Sequence, residues 1–268
     1  MSVAEALTKL YSLENKVILL SGAAGGITSV MARTLAAAGA TMALCDVRED
    51  AAKALAEELP GNGHTAHGVD LLNCREIVAC VDRVLESHGR VDGLINGAGI
   101  SKRIGMLDVD EALYDRIMDV NLKAAFFLSQ EVVRRSMRHT GGKILTMASY
   151  NSTSVCGGSS VYAVSKSGLL GLTRAIAVEW GRFNIQANAL APGFVETAMT
   201  TELKNDPVRH GRIQELTCCR RMAQPDELLG MTVLLMSPAS SYMTGHVYNV
   251  DGGALIGGSP WPFPTQYS

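Results

Sequence analysis

The chain has 268 residues, 47% of them hydrophobic, and a formal net charge of −2 with both signs interspersed. That length supports one sizeable core, and without a basic block neither nucleic acid nor an anionic membrane is an expected partner. No apolar run is long enough to cross a bilayer, residues 1–5 lack the pattern of an export signal, and the cysteines (Cys45, Cys74, Cys80, Cys156, Cys218, Cys219) include no Cys-x-x-Cys pair, so a cytoplasmic protein with reduced thiols is expected.

Residues 16–20 are a short apolar run, expected as the first strand. Ser21-Gly22-Ala23-Ala24-Gly25-Gly26-Ile27 follows, and residues 28–38 have the small, apolar composition of a helix closed by Gly39. Strand, glycine turn and helix in that order make a phosphate-binding unit. Glycines let main-chain N–H groups approach a pyrophosphate, and the helix N-terminus favours its charge. A second strand, 41–45, ends at Asp46, twenty residues after Gly26. An acid there bonds the hydroxyls of an adenosine ribose and repels a 2′-phosphate, which favours NAD. Its other reading is a cap on the helix that starts near Asp50. Arg48 is the nearby cation that would argue for a phosphate.

Residues 50–59 read as a helix, 64–69 as a third strand ending at Asp70, 73–88 as a helix closed by Gly89, and 91–95 as a fourth strand opening into Asn96-Gly97-Ala98-Gly99. In a strand His64 and His67 would point to opposite faces, and no metal site is expected. Leu113, Ile117, Val120, Ala124, Phe127 and Leu128 recur near helical spacing, which predicts one long helix over 111–138. Residues 143–148 read as a buried strand with Ser149 at its carboxyl end, and a helical period begins at Val161. The last strands are 184–190, ended by Pro192-Gly193, and 247–250. This alternation predicts an α/β fold: a single-domain, Rossmann-type, doubly wound parallel sheet of about seven strands, with helices on both faces, over residues 1–268. Residues 259–268 form a proline-rich tail whose aromatic residues are expected to dock on a surface.

Tyr162 and Lys166 are four apart, so they share one helical face. A phenol is a poor base at neutral pH, and a nearby fixed cation lowers its pKa. With the Ser149 hydroxyl at a strand tip, the trio suits proton transfer to or from an alcohol oxygen. Alone, Tyr-x-x-x-Lys on a helix is usually an amphipathic face.

With these pieces in order, the sequence resembles the short-chain dehydrogenase/reductase family over nearly its whole length. The likeness rests on Ser21-Gly22-x-x-x-Gly26-Ile27, Asn96-Gly97-Ala98-Gly99, Asn121 in Val120-Asn121-Leu122, Ser149 with Tyr162-x-x-x-Lys166, and Pro192-Gly193 with Thr197. The family implies a homotetrameric or homodimeric NAD(P)-dependent oxidoreductase. Two positions depart from its pattern. Thr28 stands where glycine is usual, crowding the first helical turn while offering a hydroxyl to a phosphate oxygen, so a slight shift of the loop is expected. Gly97 stands where asparagine is usual and loses a side-chain brace.

Within the family the chain resembles gluconate 5-dehydrogenase-type sugar-acid and polyol dehydrogenases. The shared stretches are Gly99-Ile100-Ser101-Lys102-Arg103, Ser129-Gln130-Glu131, Glu179-Trp180 and Pro192-Gly193-Phe194-Val195-Glu196-Thr197. The 3-oxoacyl-carrier-protein reductases share most of them. The resemblance implies that Asn121, Ser149, Tyr162 and Lys166 are catalytic, with Asn121 holding a relay water. It implies that NAD is held by Gly22, Gly25, Gly26, Ile27, Asp46, Asp70, Leu71, Asn96, Ala98, Tyr162, Lys166, Val195 and Thr197. The expected substrate is a small alcohol or ketone of a sugar, sugar acid or polyol, met by Arg103, Ser149, Asn151 and Tyr162. Arg103 and Lys102 are otherwise read as a solvated basic pair. The alternatives are a 3-oxoacyl thioester reductase and, more remotely, a cofactor-binding scaffold without catalysis.

Overall fold

Short apolar runs alternate with helices along the chain, and each run becomes a strand of one sheet. The computed structural model describes residues 2–257, so the tail expected at 259–268 lies outside the described residues. The elements are α1 (Val3–Tyr11), β1 (Val17–Ser21), α2 (Thr28–Ala37), β2 (Thr41–Asp46), α3 (Glu49–Glu58), β3 (Thr65–Gly68), α4 (Cys74–His88) and β4 (Gly93–Asn96). There follow α5 (Glu111–Met118), α6 (Ala124–Val132), α7 (Arg138–Thr140), β5 (Gly142–Met147), α8 (Ser160–Trp180), β6 (Ile185–Pro192), α9 (Thr201–Asn205), α10 (Pro207–Leu216), α11 (Leu229–Met236) and β7 (Val247–Val250). The seven strands are all parallel, in the order β3-β2-β1-β4-β5-β6-β7.

Helices cover both faces, so the strands are apolar throughout rather than alternating. Leu19, Leu94 and Ile144 pack on one face with Ile77 and Val81 of α4, Leu128 of α6 and Leu172 of α8. Ile18, Leu20, Met42 and Leu145 pack on the other with Met31 and Leu35 of α2 and Leu235 of α11. The expected α/β architecture is the one observed. Strand order reverses between β1 and β4, whose last residues Ser21 and Asn96 are in register. Chain leaving those two ends diverges to opposite faces, which opens a crevice at the carboxyl edge of the sheet.

Several boundaries differ from expectation. The helix over 111–138 is not uniform: π-helical turns occupy Asp119–Lys123 and Val133–Met137. Each adds a residue to its turn and re-aims the side chains around it, and such bulges recur at functional positions. β3 starts at Thr65, so His64 precedes the strand, where its Nδ1 accepts from Met42 N at 3.0 Å. Helix α1 was not anticipated, although its start carries a capping box in which Ser2 Oγ accepts from Glu5 N and Glu5 Oε2 accepts from Ser2 N. Among the described residues no helix is long and apolar enough to cross a membrane.

Candidate active site

The crevice is a cleft of about 540 Å³ at the carboxyl ends of the strands. One wall is the loop after β1. Gly22 has φ +66°, and a Cβ there would fall 2.6 Å from Ala98 Cα, so only glycine lets the β1 and β4 loops meet. Helix α2 starts in this wall with no side-chain cap and no acid in its first turn. The N–H groups of Gly26 and Ile27 have no partner among the described residues. Unspent N–H groups at a helix N-terminus are a site for a pyrophosphate.

Asp46 is buried at the end of β2 and accepts from Ala24 N and Arg48 N, both at 2.9 Å. It does not cap α3, whose N-cap is Arg48. Arg48 Nε lies 3.5 Å from Asp46 Oδ1, and Arg48 Nη2 donates to Ala24 O at 2.8 Å. The cleft is thus bordered here by a fixed carboxylate and, just outside it, a guanidinium. Asp70, Leu71, Ala98, Val195 and Thr197 line the same cleft.

At the other end Ser149, Tyr162 and Lys166 meet. Ser149 starts a short turn after β5, where its Oγ accepts from Asn151 N at 3.1 Å. Its side chain is also the hydrogen-bond partner of Tyr162. Lys166 is buried, one helical turn along α8; its Nζ donates to Met147 O at 2.6 Å and lies 5.7 Å from the centre of the Tyr162 ring. Loss of hydration brings Lys166 down to about 8. Tyr162 was expected to be lowered by Lys166. Burial instead pushes it above its ordinary value, with the Ser149 hydrogen bond opposing the rise.

Three expected site residues stand behind the cleft wall. Asn96 is buried and donates from Nδ2 to Ser129 Oγ at 2.9 Å. Asn121, in the π-helical turn, accepts from Ile100 N at 2.8 Å, and its Nδ2 donates to Ile100 O and Ser165 Oγ, both at 3.0 Å. Both amide hydrogens are spent, so the side chain clamps the loop after β4 to α8. Asn151 Oδ1 accepts from Cys156 N at 2.8 Å. Arg103 is exposed and does not line the cleft; its Cγ packs against Gly158, beside a 2.9 Å bond from Ile104 N to Gly158 O. Thr28 does not aim its hydroxyl at a phosphate position: Oγ1 donates to Gly22 O at 2.5 Å. Ile100, Arg116, Val120, Met147 and Met199 also line the cleft. Sequence reading missed them because their places depend on how loops and a π-helical turn fold back, and no local pattern marks that.

Comparison with known proteins agrees with this geometry. The family described as enoyl-(acyl carrier protein) reductase matches residues 22–254. The chain is 36% identical to 2-dehydro-3-deoxy-D-gluconate 5-dehydrogenase of Escherichia coli, over 91% of this chain and 97% of that one. It is 34% identical to the 3-oxoacyl-[acyl-carrier-protein] reductase of Thermotoga maritima, over 91% and 99%. A crystal structure of a gluconate 5-dehydrogenase from Burkholderia cenocepacia, in complex with NADP and tartrate, superimposes with a TM-score of 0.88 at 31% identity, over 93% and 99%. The chain belongs to the short-chain dehydrogenase/reductase family. It is an enzyme of the NAD(P)-dependent kind that acts on CH–OH groups.

A nicotinamide dinucleotide fits what the cleft offers: free N–H groups at the α2 terminus, a carboxylate at one end and a hydroxyl, phenol and ammonium at the other. The burial of Tyr162 has a measurable consequence. The tyrosinate absorbance lost on Tyr162→Phe should titrate at higher pH than free tyrosine in the cofactor-free protein. Oxidised nicotinamide dinucleotide, whose ring is cationic, should move it down. A titration at or below the free-tyrosine value without cofactor would contradict this geometry.

Proposed function

We propose that the chain is an NAD-dependent dehydrogenase of a secondary alcohol on a sugar, sugar acid or polyol. The observation that carries the reading is the meeting of Ser149, Tyr162 and Lys166 in one cleft whose far end holds Asp46. In the oxidising direction Tyr162, as phenolate, takes the alcohol proton. Ser149 donates to the same oxygen and steadies its developing charge. Bound nicotinamide supplies the hydride acceptor. Lys166 favours the phenolate by its charge and, as the resemblance implies, bonds the nicotinamide ribose. Gly22, Gly25, Gly26 and Ile27 hold the pyrophosphate, Asp46 the adenosine ribose, Asp70 and Leu71 the adenine, and Val195 and Thr197 the nicotinamide amide. Asn96 and Ala98 shape the loop beside it. The relay water is placed at Asn121, as the resemblance implies, although both its side-chain amide hydrogens are already engaged.

Relatives named for gluconate-type substrates support the sugar-acid reading, and the 3-oxoacyl reductase among them supports the alternative. The neighbour that holds NADP bears on the cofactor, as does Arg48. The Asp46 carboxylate would face a 2′-phosphate in a partly desolvated cleft, which favours NAD. Exposed Phe126, Phe127, Val164 and Val178 support assembly as a homotetramer or homodimer, and a cytoplasmic location fits free thiols on all six cysteines.

The test is a panel of polyols, sugars, sugar acids and β-keto esters, followed by nicotinamide absorbance with NAD and with NADP. NAD-linked turnover of one of the first three groups is expected. Tyr162→Phe should cost about 10²–10⁴-fold or more with little change in NADH affinity. NADP-linked reduction of β-keto esters alone would replace this reading with the alternative.

Arg103 lies on the loop after β4 outside the cleft lining, so its proposed role as receptor for a substrate carboxylate requires that loop to close over bound substrate; a guanidinium fork would then match the carboxylate with two parallel bonds. Arg103→Ala should lower kcat/KM for an acidic substrate by about 1.5–3 kcal/mol and leave its uncharged analogue nearly unchanged. Equal small effects on both would make Arg103 surface charge only.

A further inference from the structure

The two departures from the family pattern touch each other. Thr28, on the first turn of α2, is buried, and its methyl Cγ2 lies 2.6 Å from where a Cβ at Gly97 would be. The same imaginary Cβ would lie 2.6 Å from Ser21 O and 3.4 Å from Leu20 Cδ1. Oγ1 of Thr28 donates to Gly22 O at 2.5 Å, and a Cβ at Gly25 would lie 2.7 Å from Thr28 Oγ1. One side chain therefore reaches both cofactor loops: its hydroxyl holds the loop after β1, and its methyl fills the space beside the loop after β4. Gly97 N donates to Ser21 Oγ at 3.2 Å, which brings the second loop against the first.

We propose that Thr28 is a positioning residue that braces the pyrophosphate loop against the β4 loop, and that its methyl takes part of the space a side chain at Gly97 would need, the Ser21 carbonyl taking the rest. The brace between the two loops is supplied from position 28 rather than from a side chain at position 97. The hydroxyl is turned inward, so Thr28 leaves the N–H groups of Gly26 and Ile27 as the pyrophosphate donors. The proposal rests on the reading that a nicotinamide cofactor occupies this cleft.

The test is a double-mutant cycle with two readouts, NADH affinity by fluorescence titration and the thermal midpoint of the cofactor-free protein. Gly97→Ala overpacks the junction and should weaken NADH by about tenfold or more while lowering Tm. Thr28→Ser keeps the hydroxyl and removes the methyl, and should change affinity by only about threefold. Thr28→Ser/Gly97→Ala should recover both affinity and Tm relative to Gly97→Ala, in part only, because the Ser21 carbonyl contact remains. Thr28→Val, which keeps a methyl and loses the hydroxyl, should weaken NADH more than Thr28→Ser does. If Gly97→Ala does not fold, folding of the double variant is the expected rescue. A double variant no better than Gly97→Ala, or effects that simply add, would overturn the proposal. Coupling in Tm with no coupling in NADH affinity would overturn the positioning role. Wild-type protein that bound no NADH would instead defeat the cofactor reading itself.

Discussion

The close approach of two loops at the point where strand order reverses governs the rest of the molecule. A parallel sheet wound in two directions leaves one crevice between diverging connections. Here β1 and β4 end side by side, and Gly22 lets the chain after one press on Ala98 after the other. That contact lies beside the free end of α2, which borders the cleft. Helix α8 and strand β5 then bring Tyr162 and Ser149 to the same edge of the sheet. The Asn121 clamp on Ile100 and Ser165 fixes the β4 loop against α8, so the two halves of the cleft are tied by side-chain hydrogen bonds as well as by the sheet.

Burial acts on both Tyr162 and Lys166 beside Ser149, and in the same sense. It pushes Tyr162 up and brings Lys166 down to about 8, which in each case disfavours the charged form. A phenolate and an ammonium in this pocket are therefore stabilised chiefly by what faces them. In the cofactor-free protein Lys166 spends a proton on Met147 O, and the hydrogen bond that favours phenolate comes from Ser149. A cationic nicotinamide ring, if held beside the phenol as proposed, would add positive charge there. The phenolate would therefore be more populated at a given pH with the oxidised cofactor in place than without it.

The fold was legible in the sequence because its signals are local. Apolar runs, glycine turns and the Gly89 stop each mark one element, and parallel pairing follows from their alternation. The trio and Asp46 were legible for the same reason: each sits at a strand end or on one helical face. The π-helical turn at Asp119–Lys123 was not legible, because an added residue leaves the apolar spacing of 111–138 nearly intact. The roles of Asn96 and Arg103 depend on which way a side chain turns, and the structure turns Asn96 toward Ser129 and packs Arg103 against Gly158. The net direction of the Tyr162 shift was misjudged because sequence places a cation beside a phenol and carries no measure of hydration. Helix α1 had a readable Ser2-x-x-Glu5 start, and α10 a readable Asp206-Pro207 start, so those omissions lay in the reading.

The most direct measurement is a crystal structure of the protein with NAD. In that structure the pyrophosphate should lie on the N–H groups of Gly26 and Ile27, the adenosine ribose at the Asp46 carboxylate, and the nicotinamide ring beside Tyr162. Its C4 should leave room for a substrate carbon at about 3–3.5 Å whose oxygen reaches both Ser149 and Tyr162 hydroxyls. A dinucleotide bound outside the crevice, or one whose nicotinamide ring lies away from Tyr162, would contradict this placement.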